Sequence, residues 1–364
     1  MQAARQWWKR FKNVLQKFDF EPSLADPCFF IKKDGDLAMN SIYVDDGCIV
    51  GDPATINKII QELGTCFTVK RLGPLKNYVG CHFDESKNGT IIVTQPKLFA
   101  SLKKKFGKLV DNAEYATPAA PRFTIVRHEK DVIKISDSKQ KDYRSGVGML
   151  LYLVKYSRPD LANITRELSK VMDGATKAHW KALIRAISYA LSTEEKGLIL
   201  KPKRLEESLV LRGVSDSEYG GDRETRHSVF GYIVYFCGAP IAWKSKAMRS
   251  VTLLSTEAEY VAISEITKEI IFAKQVIETA NIDIKLPIEI QVDNVGAIYL
   301  TQNYTTGQNT KHVDICYHFV RELIEDKVLQ VNFIRSEENE SDIMTKNTTR
   351  DLFEKHQNKL IGNN

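Results

Sequence analysis

The sequence has no CxxC pair: its six cysteines, at positions 28, 48, 66, 81, 237 and 316, are scattered over 364 residues. Such spacing supplies neither a zinc knuckle nor a dense disulfide framework, and it implies reduced thiols in a reducing compartment. No run of about 18 apolar residues exists to span a bilayer, and the N-terminal MQAARQWWKRFKNVLQKF is too charged for a signal-peptide core. The expectation is a soluble intracellular protein with no membrane partner. A large excess of one sign of charge is also missing: 52 Lys and Arg stand against 46 Asp and Glu, for a formal +6. That excess permits a polyanionic partner without requiring one.

What is present is an ordinary folding composition, 43% hydrophobic and 27% charged. The chain is long for one core, so domain-size priors predict two or three compact units. Trp8, Phe11, Leu15 and Phe18 fall at helical spacing and predict an amphipathic helix over 5–18. LAMNSIYVDDGCIVG reads as strand, two-acid turn, strand, with Asp45 and Asp46 at the bend. Asp52-Pro53 is an N-cap followed by an N1 proline, and Gly64 closes that helix. A strand at FTVKRL and a hairpin around Ser86–Gly89 follow. The next predicted helix turns Leu98, Leu102 and Phe106 inward, and its end carries Lys103, Lys104 and Lys105.

Residues 111–140 read as loop, and Tyr143 to about Leu200 as helices. PKRLEES (202–208) reads as a polar linker. Beyond it come LVLRGVSD as a strand, a hairpin through GYIVYFCGAPIAW, a strand near SVTLLS and a long helix from Glu257. IEIQVDN, a helical stretch and VLQVNFI complete the pattern, which describes an α/β layer of ribonuclease H-like type.

Four acids punctuate this C-terminal pattern. Asp216 ends the first strand, and Glu257 lies in the first turn of the long helix behind a Thr256–Glu259 capping box. Asp293 ends the strand IEIQVDN, and Asp342 follows the last strand. Each alone reads more readily as a turn former or a dipole partner than as a metal ligand. Together they are the carboxylate set that two hard divalent cations need for phosphodiester hydrolysis.

The segments SDSEYGGDRETRHSVFGY, SKAMRSVTLLSTEAEY, VDNVGAI, NTKHVDICYHFVRE and SDIMTK resemble, in order, the ribonuclease H part of copia-type LTR retrotransposon Pol polyproteins. QAARQWW, FEPSLADPCFFIKKDG, SIYVDDGCIVGD, VKRLGPLKNYVG and YRSGVGMLLYL with SRPDLANITRELSKVM resemble consecutive parts of the reverse transcriptase of the same family. The resemblance covers nearly the whole chain. It implies an α+β and α/β multidomain protein with a partial palm and thumb, a helical connection and a ribonuclease H-like domain with a mixed five-stranded sheet. The corresponding boundaries are 1–85, 86–204 and 205–350, with a C-terminal tail at 351–364.

The resemblance further implies Mg²⁺ or Mn²⁺ held by Asp216, Glu257, Asp293 and Asp342, and by Asp45 and Asp46 at the polymerase hairpin. It places a family histidine on His312, which reads either as catalytic or as a helix-start surface residue. Lys311 beside it is a candidate nucleic-acid contact. Asn309 stands where the family has a basic residue. Lys103 to Lys105 read either as a primer-template contact or as a solvated helix end that suits the dipole.

The implied function is a ribonuclease acting on RNA–DNA hybrids, joined to a truncated polymerase half expected to be inactive. The chain begins within the segment that follows the fingers, and a third palm carboxylate is not evident. Two alternatives stand beside it: an inactive or domesticated nucleic-acid-binding remnant, and a fragment of an intact polyprotein. The implied location is the cytoplasm, including virus-like particles, or the nucleus.

Overall fold

The computed structural model describes residues 2–32, 37–110, 114–127, 133–201, 209–303 and 311–363, and the side chains of Ala3 and of 311–317 are outside that description. The expected linker 202–208 and Asn309 lie outside the described residues. The chain divides into one compact unit of Met1–Phe83 with Ile271–Ile284, and a second of Asp84–Ile270 with Lys285–Asn364.

The first unit opens with α1 (Gln2–Gln16), followed by strands β1 (Phe20–Pro22), β2 (Phe29–Lys32), β3 (Met39–Tyr43) and β4 (Asp46–Val50), which form a four-stranded sheet in that order. α2 (Pro53–Gly64) begins where the Asp52 carboxylate accepts the amides of Ala54 and Thr55 at 2.9 and 3.1 Å. Those bonds satisfy donors that a helix start leaves open. Phe11, Leu15, Phe20, Phe30, Ile42, Ile59 and Leu63 form the core of this unit. FTVKRL does not form a strand; the next strands are β5 (Asn77–Tyr78) and β6 (Cys81–Glu85). The YVDD turn is also one residue earlier than its sequence suggests. Tyr43 pairs with Asp46, so the bend is Val44–Asp45, with Val44 at φ 59° and Asp46 already in β4.

The second unit contains β7 (Ile91–Thr94), α3 (Pro96–Phe106), α4 (Asp137–Tyr156), α5 (Ala162–Ser169), α6 (Lys177–Ser192) and β8 (Gly197–Leu200). Gly197–Leu200 is therefore a strand at the end of a region expected to be helical. There follow β9 (Leu211–Glu218), β10 (Val229–Phe236), β11 (Ala239–Ala247), α7 (Ser255–Thr279), β12 (Ile288–Val292), α8 (Val295–Gln302), α9 (Lys311–Glu325) and β13 (Leu329–Phe333). The chain ends through α10 (Asp342–Thr345), α11 (Arg350–Gln357) and β14 (Ile361–Gly362). SVTLLS is not a strand but the lead into α7, which starts two residues before Glu257.

The sheet that positions the acids has the order β11-β10-β9-β12-β13. β9, β10 and β11 pair antiparallel, whereas β12 runs parallel to both β9 and β13. β9 is buried over most of its length because its two neighbours and the helices leave no open face. This is the mixed five-stranded sheet expected from the sequence.

The helices of 86–204 and the strands of 205–350 share one hydrophobic core. Tyr143, Leu150, Leu161, Leu183 and Ile187 cluster with Val214, Ile233, Ile343 and Met344. Residues 351–364, read as a tail, contribute Phe353, Leu360 and Ile361 to the same cluster. A fully buried ion pair reinforces it: Arg158 donates from Nε and Nη2 to Asp160 at 2.9 and 2.8 Å, and the Tyr189 hydroxyl donates to the same carboxylate at 2.7 Å.

Candidate active site

Strand pairing brings distant acids together. β9 carries Asp216, and its parallel neighbour β12 ends just before Asp293, so both carboxylates emerge at one end of the sheet. Asp342 opens α10, a short helix packed on β9 and β10. One carboxylate oxygen from each of Asp216, Asp293 and Asp342 lies within 4.8 Å of the other two. Asp216 and Asp342 are 2% and 3% exposed.

Hydroxyl groups and one ammonium hold these acids. Thr345 Oγ1 donates to Asp216, and Ser336 Oγ donates to Asp293. Lys346 Nζ lies 3.0 Å from Asp342 Oδ1 and 3.7 Å from Asp216 Oδ2. Burial would depress the Lys346 ammonium, but the carboxylates of Asp216 and Asp342 outweigh it and raise its pKa.

The fourth acid beside the aspartates is Glu259, two residues after the one expected. Glu259 Oε1 accepts the Ser217 amide at 3.0 Å and the Ser217 hydroxyl at 2.9 Å, immediately beyond Asp216 in β9. Glu257 instead turns back, its carboxylate accepting the Leu253 amide at 2.6 Å. The Thr256–Glu259 capping box is thus replaced: Glu257 serves the helix start and Glu259 serves the sheet. Side chains two apart on a helix point to different faces, so both cannot approach β9 together.

Burial pushes the Glu259 carboxyl up to about 9, with the charges of Asp216 and Asp293 adding to the shift. Burial likewise raises Asp342 to about 7, with the Asp216 charge adding and Lys346 opposing. Asp216 is raised by burial against the pull of Lys346 and the Thr345 hydroxyl. These acids repel one another in a poorly solvated place, a condition relieved by a cation.

The donor set fits a hard divalent ion. It consists of carboxylate oxygens alone, as Mg²⁺ and Mn²⁺ prefer. Glu259 Oε2 is buried without a hydrogen-bond partner, an oxygen left open beside the cluster. Soft or imidazole ligands are not part of this group of acids.

The other expected site residues lie elsewhere. Asp45 and Asp46 are exposed on the β3–β4 hairpin, and the acid cluster found among the described residues does not include them. Lys103 pairs with Glu194 in the turn after α6 at 3.3 Å, and Lys105 with Asp142 of α4 at 3.0 Å, so two of the three α3 lysines are held by neighbouring acids. Lys311 and His312 begin α9, but their side chains lie outside the described residues. The sequence reading missed Glu259, Ser336, Thr345 and Lys346. Lys346 had a signal, since it follows Asp342 by four residues, the spacing at which helical side chains meet.

Residues 1–121 match the family described as reverse transcriptase (RNA-dependent DNA polymerase). Over 360 residues, 97% of its length, the chain is 30% identical to the retrovirus-related Pol polyprotein from transposon TNT 1-94 of Nicotiana tabacum, of which it spans 27%. Among solved structures it is similar to LC11-RNase H1 in complex with an RNA/DNA hybrid, at 13% identity over 39% of this chain and 96% of that one, with a TM-score of 0.29. It is also similar to a foamy viral protease-reverse transcriptase in complex with an RNA/DNA hybrid, at 14% identity over 82% of this chain and 36% of that one, with a TM-score of 0.44.

A segment matching the reverse-transcriptase family is followed by a mixed five-stranded sheet with acids gathered at one end. Over nearly its whole length the chain is about 30% identical to retrovirus-related Pol polyproteins from plant transposons. It spans about a quarter of the length of the curated relatives it matches.

Proposed function

We propose that this chain cleaves the RNA strand of RNA–DNA hybrids at Asp216, Glu259, Asp293 and Asp342, with Mg²⁺ or Mn²⁺ as cofactor. The observation that carries this reading is the convergence of three aspartate oxygens within 4.8 Å of one another, beside a buried glutamate with an open oxygen. Divalent cations at such a cluster supply a nucleophilic hydroxide and offset charge at the attacking and leaving oxygens. The residues of the chain do the positioning. Ser217 orients Glu259, Thr345 orients Asp216, and Ser336 orients Asp293, so the acids start in place. Lys346 offsets part of their mutual repulsion.

The test is cleavage of labelled RNA in a hybrid, beside the same RNA alone, with each metal. Shortening confined to the hybrid, lost in Asp293→Asn, is the expected result. A hybrid left intact with both metals removes the nuclease reading and leaves a nucleic-acid-binding remnant.

For the polymerase part we propose binding of primer-template without extension by this chain alone. Asp45 and Asp46 are exposed, and among the described residues no cluster of three potential metal ligands includes them. In-line displacement needs a complete metal cage, and misplacement by about an ångström can cost about a hundredfold. Extension of a DNA primer on RNA that vanishes in Asp45→Asn would overturn this.

A further inference from the structure

Beside the acid cluster a cleft of about 480 Å³ opens, lined by four separate parts of the second unit. Pro121–Thr124 form one wall, Asn163, Arg166 and Glu167 of α5 a second, and Glu218–Gly221 with Arg223 and Arg226 a third. Its floor runs from Thr345 through Thr349. Two floor residues already belong to the acid cluster: Thr345 donates to Asp216, and Lys346 pairs with Asp342. The cleft therefore starts at the candidate metal centre and leads away from it.

Its lining is cationic where it meets solvent. Arg122, Arg223 and Arg226 are exposed, and no ion pair holds them among the described residues. The two acids of the lining are taken up or turned inward. Glu167 pairs with Arg166 at 2.7 Å and with Lys170 at 2.9 Å, and its other oxygen accepts the Ile125 amide. Glu218 is half-buried, with its carboxylate lying against Gly221. Thr348 Oγ1, also in the lining, is buried without a hydrogen-bond partner. Three unpaired guanidinium groups and an open hydroxyl around one cleft are the chemistry that recognises phosphate oxygens, with guanidinium forks matching them in bidentate fashion.

The cleft is held rigidly across its seams. The Arg122 amide donates to the Asn347 carbonyl at 2.8 Å, and Asn347 Nδ2 donates to the Phe123 carbonyl at 2.7 Å. Arg166 Nε donates to Ser245 of β11 at 3.1 Å. Both the helical part and the mixed sheet thus contribute walls that do not need to find each other when ligand arrives.

We propose that this cleft binds the sugar-phosphate backbone of a hybrid strand as it leaves the acid cluster, with Arg122, Arg223 and Arg226 on phosphate and Thr348 donating a hydrogen bond. The proposal rests on the nuclease reading for the identity of the ligand. It adds that residues 121–124, outside the ribonuclease H-like sheet, form part of the substrate site.

The test is fluorescence anisotropy of a labelled RNA–DNA hybrid with the full chain in EDTA, where no cleavage occurs, over a range of salt. Arg122→Ala/Arg223→Ala is expected to weaken binding about tenfold and lower the salt slope by about two, since each phosphate contact contributes roughly one. Arg122→Lys/Arg223→Lys keeps the charges and should retain the slope. Lys141→Ala, which removes an exposed charge on α4 outside the cleft, should change neither quantity appreciably. With metal present, the double alanine variant should raise KM while leaving kcat within about twofold. Thr348→Val, which keeps every charge, should weaken binding without altering the slope.

An unchanged slope in the double alanine variant, an equal effect of Lys141→Ala, or no hybrid binding by the parent chain overturns the cleft. Binding that depends on the arginines without any cleavage supports the cleft and sinks the nuclease reading alone. Cleavage whose KM ignores the arginines does the reverse.

Discussion

Ser217 donates both its backbone amide and its hydroxyl to a single oxygen of Glu259, at 3.0 and 2.9 Å. This pair ties the second turn of α7 to β9 one residue past Asp216, and it leaves the other Glu259 oxygen buried and open. A glutamate placed this way is held for a purpose other than capping its own helix.

Exchanging each glutamate for its amide separates the two roles. Glu259→Gln is expected to reduce hybrid cleavage by at least a hundredfold while leaving thermal stability without metal unchanged or higher, because a buried carboxyl is replaced by a neutral isostere. Glu257→Gln should keep cleavage within about twofold and lose roughly 1 kcal/mol at most, the worth of a weakened helix-start bond. Steady-state cleavage and thermal melts of both variants decide this, and equal activity in Glu259→Gln would return the role to Glu257.

The two-residue displacement shows what the sequence could and could not reveal. Asp293 was legible because alternating apolar residues mark β12 and the acid follows where they stop; Asp216 was placed at the end of β9, which in fact continues to Glu218. The mixed five-stranded sheet was legible for the same reason. Choosing between Glu257 and Glu259 requires the rotation of α7 against the sheet, which depends on where the helix starts, and SVTLLS reads as strand though it is not. The arginine cleft was invisible because Arg122, Arg166 and Arg223 come from segments that only the shared core brings together.

Raised carboxyl groups have a consequence for stability against pH. Glu259 at about 9 and Asp342 at about 7 both hold protons in the folded state that the unfolded chain has released. The folded state therefore binds more protons, so stability falls as pH rises through this range. Between pH 7 and 9 the metal-free protein should lose thermal stability steadily. Mg²⁺ or Mn²⁺ should restore it, with a larger effect at pH 9 than at pH 7, because a cation favours the charged carboxylates. Glu259→Gln should flatten much of the metal-free slope. Differential scanning fluorimetry across pH, with and without metal, is sufficient, and a flat parent profile would contradict the burial argument.

The Arg158–Asp160 pair tests whether the second unit behaves as one cooperative body. Both side chains are fully buried, and Tyr189 on α6 joins the same carboxylate. Removing one partner of such a pair strands the other charge, at a cost of about 3 to 5 kcal/mol. Asp160→Asn should approach this loss, moderated by the hydrogen bonds the amide can still make. Because helices and mixed sheet share a core, melting of the second unit should remain a single transition at lower temperature. Separate transitions for helical and sheet parts would show that the shared core does not couple them.

The last expectation concerns a glycine behind the site. Gly231 of β10 lies opposite Asp216 in the strand pairing, and α10 crosses directly over it. A Cβ at Gly231 would lie 2.5 Å from Met344 Cβ and 2.9 Å from Thr345 Cγ2. The first is an atom fixed to the backbone of α10, so relief cannot come from a flexible side-chain tip. The helix itself has to move. Its first residue is Asp342, and Thr345 is the residue that orients Asp216, so displacement disturbs two acids at once. Gly231→Ala should therefore cost about 1 to 3 kcal/mol as an overpacked site and reduce kcat more than tenfold. KM for the hybrid should stay nearly constant, since the exposed cleft arginines lie on other elements. Gly148→Ala is the matched control: nothing lies within 4 Å of its added Cβ, and the position is an exposed turn of α4. There the substitution should stabilise by about 0.5 to 1 kcal/mol through the backbone entropy removed from the unfolded chain, with cleavage unchanged. Full activity in Gly231→Ala would mean that α10 tolerates the shift and that its close approach to β10 does not set the position of Asp342.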